Sequence, residues 1–312
     1  MSPASGSPAA GTPALTGKIA LVTGAYGDIG QHTVTGLARA GATVIAAGRD
    51  AAKLGLLAHN AATQVPGAEI ETLVLDLANL ASVQRAAGTV LAAARPVDVL
   101  VNNAAVMPGG QRQTTHDGFE LAFGTNHLGH YALTGHLLPA LLTSPEARVI
   151  TVCAGPPNQR LDTSDLNSER HYRGGMRTYM ASKLATAVYA QELARRAADT
   201  TVTSLTANPG VAATGVQRHN PLIGWLARYL FAPIASTPEQ AARPSLYAAT
   251  HADLDNGTLI GPTAMKGAPQ PRKVPPAVAD QATGLQLWEA SERLTGAHYQ
   301  LSQRGAPEND RS

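Results

Sequence analysis

Tyr179 and Lys183 stand four residues apart in Tyr179-Met180-Ala181-Ser182-Lys183, at the head of the helix-compatible run Leu184 to Arg196. Four residues make about one helical turn, so the phenol and the ammonium project from the same face. A phenol with an unperturbed pKa of about 10 is a poor base at neutral pH, and a neighbouring ammonium favours its ionised form. Such a pair can give a proton to a carbonyl oxygen or take one from an alcohol. The spacing alone is common and mostly structural, so its meaning depends on what precedes it. What precedes it is Thr23-Gly24-Ala25-Tyr26-Gly27-Asp28-Ile29-Gly30, directly after an apolar run and before a helix-compatible segment that ends at Ala40-Gly41. Glycines at a strand-to-helix turn permit positive φ and let the backbone approach a pyrophosphate, which rests on the helix N-terminus. Gly24, Gly27, Ile29 and Gly30 are the expected cradle, and Asp28 adds a carboxylate that repels pyrophosphate unless it faces solvent. Arg49, in Ala47-Gly48-Arg49-Asp50, lies where an adenosine ribose would sit, with no acidic residue placed to grip a 2′-hydroxyl. A guanidinium pairs in bidentate fashion with a 2′-phosphate, which favours NADP(H) over NAD(H).

These groups need a frame. Short apolar runs, Ile19 to Val22, Thr43 to Ala46, Thr72 to Leu75, Val97 to Val101, Val149 to Val152 and Val202 to Leu205, alternate with longer helix-compatible segments. That alternation predicts a single-domain α/β fold of Rossmann type, a doubly wound parallel sheet of about seven strands with helices on both faces. At 312 residues, 44% of them hydrophobic, the chain can bury one such core. Residues 1 to 15 are Ser, Pro, Gly and Ala with few bulky side chains and read as a disordered tail, as do residues 298–312; the domain spans 16–297. The apolar, aromatic stretch Leu222 to Ile234 is too short to span a bilayer and reads as a substrate-side helix or lid within about 215–240.

Composition excludes several classes of function. The formal net charge is +2, from 24 basic and 22 acidic residues, with no block of like charge that could track nucleic acid. No apolar stretch approaches 18 residues, and the N-terminal sequence lacks both a basic and an apolar segment of the signal type, which predicts a soluble, cytoplasmic protein without membrane insertion. Cys153 is the only cysteine, so neither an intrachain disulfide nor a thiolate zinc site can form. His127 and His130 are spaced like a metal pair but have no companion ligands, and no metal is expected.

The motifs together resemble the short-chain dehydrogenase/reductase superfamily. Asp76-Leu77 after the third run and Asn102-Asn103-Ala104-Ala105 after the fourth match its adenine-holding and sheet-stabilising signatures, with Ala105 in place of the usual glycine. The spacing T-G-x-x-G-x-x-G resembles extended members and polyketide ketoreductase domains; Asp28 stands where simpler members carry glycine. Asn126-His127-Leu128-Gly129-His130-Tyr131, Asp165 to Arg170, Asn208 to Thr214 and Leu287 to Leu294 are similar to the retinol-dehydrogenase-like and WW-domain oxidoreductase-like branch, over about residues 16 to 297. The resemblance implies an NADP-dependent oxidoreductase acting on a small molecule. Tyr179 would be the acid/base, and Lys183 would bind the nicotinamide ribose and lower the Tyr179 pKa. Asn126 would hold a water that relays protons to Lys183. Asp76, Leu77, Asn103 and Ala104 would line the cofactor, and Pro209 and Val211, within Pro209 to Thr214, would close around the nicotinamide. Homo-oligomers are common in the family; this sequence does not choose between dimer and tetramer.

One element of the family pattern is missing. The strand before the site ordinarily ends in a pattern like V-x-V-S-S, whose second serine hydrogen-bonds the substrate oxygen. Aligned without gaps on Arg148 to Gly155, the first serine becomes Cys153 and the second becomes Ala154. A methyl group donates no hydrogen bond and a thiol donates a weak one. Losing one donor aimed at oxyanion charge typically costs about 2.7 to 4 kcal/mol, or roughly 10² to 10³ in rate. Three readings follow. One is reduction of a lipophilic or aromatic, polyketide-like carbonyl that tolerates the loss; another is non-redox acid/base chemistry such as cyclisation, isomerisation or elimination on the same fold; the third is a catalytically silent NADP(H)-binding module. Tyr179, Lys183 and Asn126 together argue for the first. Cys153 has no histidine beside it in sequence and reads as a small apolar filler at a strand end.

Overall fold

A computed structural model describes residues 14–154, 160–210, 236–264 and 267–301. The apolar runs become strands β1 (Ile19–Thr23), β2 (Thr43–Gly48), β3 (Ile70–Val74), β4 (Val99–Asn102), β5 (Ala147–Val152) and β6 (Val202–Ala207), followed by β7 (Leu259–Pro262) and β8 (Pro269–Arg272). They form one sheet in the order β3-β2-β1-β4-β5-β6-β7-β8. Seven strands are parallel and β8 closes the edge antiparallel to β7. The eighth strand goes beyond the expected seven, and its sequence explains why it escaped notice. Pro269 and Pro271 remove backbone donors, which an edge strand tolerates and a central strand does not.

Helices α1 (Asp28–Arg39), α2 (Ala51–Gln64), α3 (Leu80–Ala92), α4 (Gly129–Thr143), α5 (Gly175–Arg196), α6 (Pro238–Thr250), α7 (Pro276–Ala279) and α8 (Gln281–Thr295) cover both faces. Alternation along β1 divides the core in two. Leu21 joins Leu100, Leu133, Leu137, Val188 and Trp288 on the face of α3, α4, α5 and α8, while Ala20 and Val22 join Val34, Leu37, Leu54 and Ala248 on the face of α1, α2 and α6. Side-chain caps start several helices, with Asp50 accepting from Lys53 N, Asn79 from Ser82 N and Asp280 from Thr283 N. Thr237 and Gln240 form a capping box at the head of α6.

Packing reaches past both expected ends of the domain. Leu15, expected in the tail, is buried and donates its N–H to Ala40 O at 2.8 Å. Tyr299, also expected in a tail, sets its ring tilted 4.8 Å from Tyr131 and edge-on 4.6 Å from Trp288, and its hydroxyl donates to Tyr131 O at 2.6 Å. An amphipathic tyrosine finds an apolar wall and an acceptor there together, which a count of bulky residues does not foresee. Leu222 to Ile234 lies outside the described residues, and the far end of the 215–240 segment forms the start of α6. Among the described residues, no helix is long and apolar enough to cross a membrane.

Candidate active site

The nucleotide turn is built by close backbone approach. Gly24 has φ +62°, and a Cβ there would meet Ala104 Cα at 2.9 Å. A Cβ on Gly30 would collide with the Gly24 carbonyl oxygen and reach Ala25 O at 2.8 Å. Thr23 Oγ1 accepts the N–H groups of Asn103 at 2.9 Å and Ala104 at 3.0 Å, and Asn103 Nδ2 donates to Thr23 O at 2.8 Å. Asn103 and Ala104 thus tie the end of β4 to the end of β1. Strand order reverses between these two neighbours, and open α/β sheets bind ligands at such a reversal. Gly27 heads α1 without a side-chain cap, so the first-turn donors have no side-chain acceptor from that position, as a pyrophosphate site requires. Ile29 and Gly30 follow in the first turn. Asp28 opens the helix, where the positive end of the dipole favours a carboxylate.

The ribose end is more open. Arg49 is exposed just past β2. Tyr26 covers Gly48, where a Cβ would meet its Cε1 at 2.6 Å, and Lys53 Nζ lies 5.7 Å from the Tyr26 ring. Asp76 closes its own turn, accepting Ala78 N at 2.9 Å, and the buried Leu77 packs against Gly129 of α4. The residues present fit a dinucleotide: a glycine cradle that a Cβ would crowd, a helix start without a side-chain cap and an exposed guanidinium just past the second strand.

The catalytic face lies on α5. Gly174, at φ +89°, heads the helix, and Gly175 presses so closely on the Pro108 and Gly109 carbonyls that a side chain would not fit. Tyr179 and Lys183 follow one turn apart. Lys183 is buried and donates from Nζ to Val152 O at 2.9 Å; burial lowers its pKa to about 8. Burial pushes the Tyr179 phenol up, and the nearby Cys153 thiol adds to the rise. The resemblance implied that Lys183 lowers the Tyr179 pKa. In this structure the ammonium is engaged by the Val152 carbonyl and desolvation governs the phenol. Cys153 is itself pushed up to about 12 by burial, as suits a filler better than a nucleophile.

Asn126 sits in a π-helical turn, Phe123–Leu128, leading into α4. Its Oδ1 accepts Val106 N at 2.8 Å, and its Nδ2 donates to Val106 O at 3.0 Å and Ser182 Oγ at 2.9 Å. Ser182 Oγ in turn donates to Tyr179 O at 2.7 Å. The Asn126 side chain is therefore filled by protein partners, and its main-chain carbonyl meets His130 Nδ1 at 2.8 Å. Sequence reasoning missed Val106 and Ser182. Only the position of Ser182 one residue before Lys183 marked it as a candidate. His127 and His130 do not converge. His127 Nε2 lies 2.7 Å from Ser291 Oγ, whereas His130 lies between Thr23 Oγ1 and Asn126 O, 2.8 Å from each. Among the described residues, no group of three His, Cys, Asp or Glu side chains could hold a metal ion.

Ala154 follows β5, with no hydroxyl to offer. Beside it lies a cavity of about 20 Å³ lined by Cys153, Thr206, Asn208, Val274 and Val278, room for about one water. Thr206 Oγ1 is buried there without a hydrogen-bond partner. Pro209 stands just beyond β6, next to Asn208, whose Oδ1 accepts Gly210 N at 2.9 Å; Val211 lies outside the described residues. The ends of β1, β4, β5 and β6 thus carry the turn, its tie, the Ala154 segment and Pro209 along one rim of the sheet.

Comparison with known proteins agrees with this layout. The profile of the short chain dehydrogenase family matches residues 18–221. Human Retinol dehydrogenase 13 is 35% identical over 288 residues, covering 90% of this chain and 86% of its own. Human Retinol dehydrogenase 11 is 37% identical over 236 residues, covering 75% of this chain and 73% of its own. A crystal structure of an uncharacterized protein from Mycobacterium paratuberculosis superimposes with a TM-score of 0.74 at 34% identity, covering 93% of this chain and 97% of that one. A structure from Beutenbergia cavernae, described as an NAD(P)-dependent gluconate 5-dehydrogenase with bound NADP, gives a TM-score of 0.64 at 28% identity and covers 80% and 97%. A nucleotide turn at the strand reversal, a Tyr-Lys face beside it and likeness over nearly the whole fold agree: this chain belongs to the short-chain dehydrogenases, among relatives of the retinol dehydrogenase type.

Proposed function

We propose that this oxidoreductase transfers hydride between NADP(H) and a carbonyl or alcohol carbon of a lipophilic or aromatic substrate. The observation that carries the reading is the Tyr179-Lys183 face, its phenol half-buried and its ammonium buried, on a helix tied to the Asn126 turn through Ser182. The nicotinamide supplies the hydride. Gly24, Gly27, Ile29 and Gly30 would hold the pyrophosphate, with Asn103 and Ala104 fixing the turn and Asp76 and Leu77 flanking the adenine. Arg49 would pair with the 2′-phosphate, and the NADP bound in the Beutenbergia cavernae relative supports that preference. Lys183 would grip the nicotinamide ribose, and Pro209 and Val211 would close over the ring.

Tyr179 holds the transferable proton on its phenol oxygen. Burial raises its pKa, and the protonated phenol is the form that donates to a carbonyl oxygen. Asn126 would hold a water beside Lys183. Ala154 leaves the substrate oxygen one donor short, so the favoured substrate brings its own hydroxyl or an activated carbonyl. The relatives' name makes all-trans-retinal one natural probe; aromatic and polyketide-like ketones are the others.

The same methyl group favours a second reading, non-redox acid/base chemistry at Tyr179. One experiment separates them: calorimetric binding of NADPH and NADH, then loss of NADPH absorbance with that panel, for wild type, Tyr179→Phe and Ala154→Ser. Reduction predicts tighter NADPH binding, turnover by wild type, at least a hundredfold loss in Tyr179→Phe with NADPH binding intact, and a faster Ala154→Ser. Tight NADPH binding with no consumption by any of the three supports the second reading, and undiminished turnover by Tyr179→Phe refutes the assignment of the proton donor.

A further inference from the structure

His130 is 2% exposed and neutral, burial holding its pKa at about 4. Burying an imidazole is unfavourable unless both nitrogens are paired, and here both are. Asn126 O can only accept, so the hydrogen is on Nδ1, 2.8 Å away, and Nε2 is left as an acceptor. The two lone pairs of Thr23 Oγ1 are taken by the N–H groups of Asn103 and Ala104. Its one hydrogen therefore goes to His130 Nε2 at 2.8 Å, in preference to Val101 O at 3.3 Å. The direction of every bond is fixed, from the turn after β4 through Thr23 and His130 to Asn126.

The path does not stop there. Asn126 Nδ2 donates to Ser182 Oγ, and Ser182 Oγ donates to Tyr179 O. Thr23, His130, Asn126 and Ser182 are 0%, 2%, 0% and 1% exposed, so no solvent water stands ready to replace a lost member. His127 makes the contrast plain. One of its nitrogens meets Ser291, Nδ1 is buried without a partner, and its ring stacks 5.3 Å from Phe123, the environment of a packing residue. A packing role would ask nothing polar of His130, yet its two bonds end on two elements, the end of β1 and the π-helical turn that carries Asn126.

We propose that His130 is a positioning residue that joins the nucleotide turn at Thr23 to the Asn126 carbonyl, so that occupancy of the turn sets the placement of Tyr179 and Lys183. The proposal rests on the NADP(H) reading above. It assigns His130 no contact with substrate or cofactor. Coupling runs through both nitrogens, so severing either end uncouples the two halves of the site even if the fold persists.

Hydrogen–deuterium exchange of the full chain with and without 2′-phosphoadenosine 5′-diphosphate, the part of NADP(H) that ends at the pyrophosphate and lacks the nicotinamide ribose assigned to Lys183, tests this without a known substrate. In wild type, this fragment slows exchange in peptides spanning Thr23 to Gly30 and also in those spanning Thr178 to Lys183. His130→Leu keeps the first effect and reduces the second at least threefold. His130→Asn, which keeps a donor near Asn126 O, and His130→Gln, which keeps a polar group near Thr23, show the same uncoupling and stand in should the leucine variant fail to fold. His127→Asn leaves both effects in place. Protection at Thr178 to Lys183 that survives in the His130 variants, or that wild type lacks while its turn is protected, overturns the positioning role alone. No protection at Thr23 to Gly30 in wild type overturns the nucleotide reading and the proposal with it.

Discussion

Gly30→Ala adds one methyl group at the tightest point of the nucleotide turn. The new Cβ would collide with the Gly24 carbonyl oxygen and press on Ala25 O at 2.8 Å and Ala25 C at 3.0 Å. All three neighbours are backbone, so no flexible side chain can swing away, and the turn must move as a unit. Forcing a methylene-sized group into such packing typically costs about 1–3 kcal/mol. Gly24 is also the residue pinned against Ala104, and Thr23 beside it accepts from the end of β4, so the strain falls on the cradle itself. We expect NADPH to bind roughly ten- to a hundredfold more weakly, by the equivalence of about 1.4 kcal/mol to a factor of ten, with a lower Tm. Gly55→Ala is the matched control. Gly55 lies within α2 with nothing inside 4 Å of its Cβ position, so alanine there should stabilise by about 1 kcal/mol and leave binding unchanged. Isothermal calorimetry and thermal unfolding on both variants read the two effects separately. Wild-type NADPH affinity and Tm in Gly30→Ala would refute the close-approach account of the turn.

Glu192, 3% exposed, accepts from Arg195 Nε at 2.9 Å and Arg196 Nε at 2.7 Å, while Arg196 also lies 4.5 Å over Trp288. Glu192→Ala should destabilise by about 1–3 kcal/mol, the part-exposed arginines regaining some hydration, and urea unfolding showing under 0.5 kcal/mol would contradict it. His127 and His130 are held by burial at about 3 and about 4, below the ordinary 6.5. The unfolded chain binds those protons first, so stability is full above pH 6.5 and is lost as pH falls towards 4 and below. Urea midpoints should therefore drop between pH 7 and pH 5, and more shallowly in His127→Asn; equal slopes for variant and wild type would exclude His127 as a source.

What could be read in advance was what is encoded within a few residues. The glycine turn, the Tyr179-Lys183 spacing and the six apolar runs are local patterns, and the 3.6-residue period of a helix or the alternation of a strand translates each into geometry. The pairings are another matter. Thr23 meets His130 and Asn126 meets Ser182 only because β1, α4 and α5 are brought together by the sheet, and no window of sequence holds both partners. The short strands β7 and β8 were missed because Gly261, Pro262, Pro269 and Pro271 erase the β-branched signature, leaving pairing with a neighbour as their only mark.

Tyr179 shows how the missing tertiary term can reverse a local inference. Spacing alone sets an ammonium beside the phenol and suggests a lowered pKa, but the fold half-buries the phenol, buries Lys183 and gives it the Val152 carbonyl as its acceptor, so desolvation raises the phenol pKa. The same reasoning applies to Asn126. Its residue type predicted a polar role at the site, and the structure supplies that polarity in another form, with the side chain clamping Val106 and Ser182 and the main-chain carbonyl facing His130. Residue identity at a site is thus a local property, whereas the partner each polar atom chooses, and with it the charge state, belongs to the packed sheet.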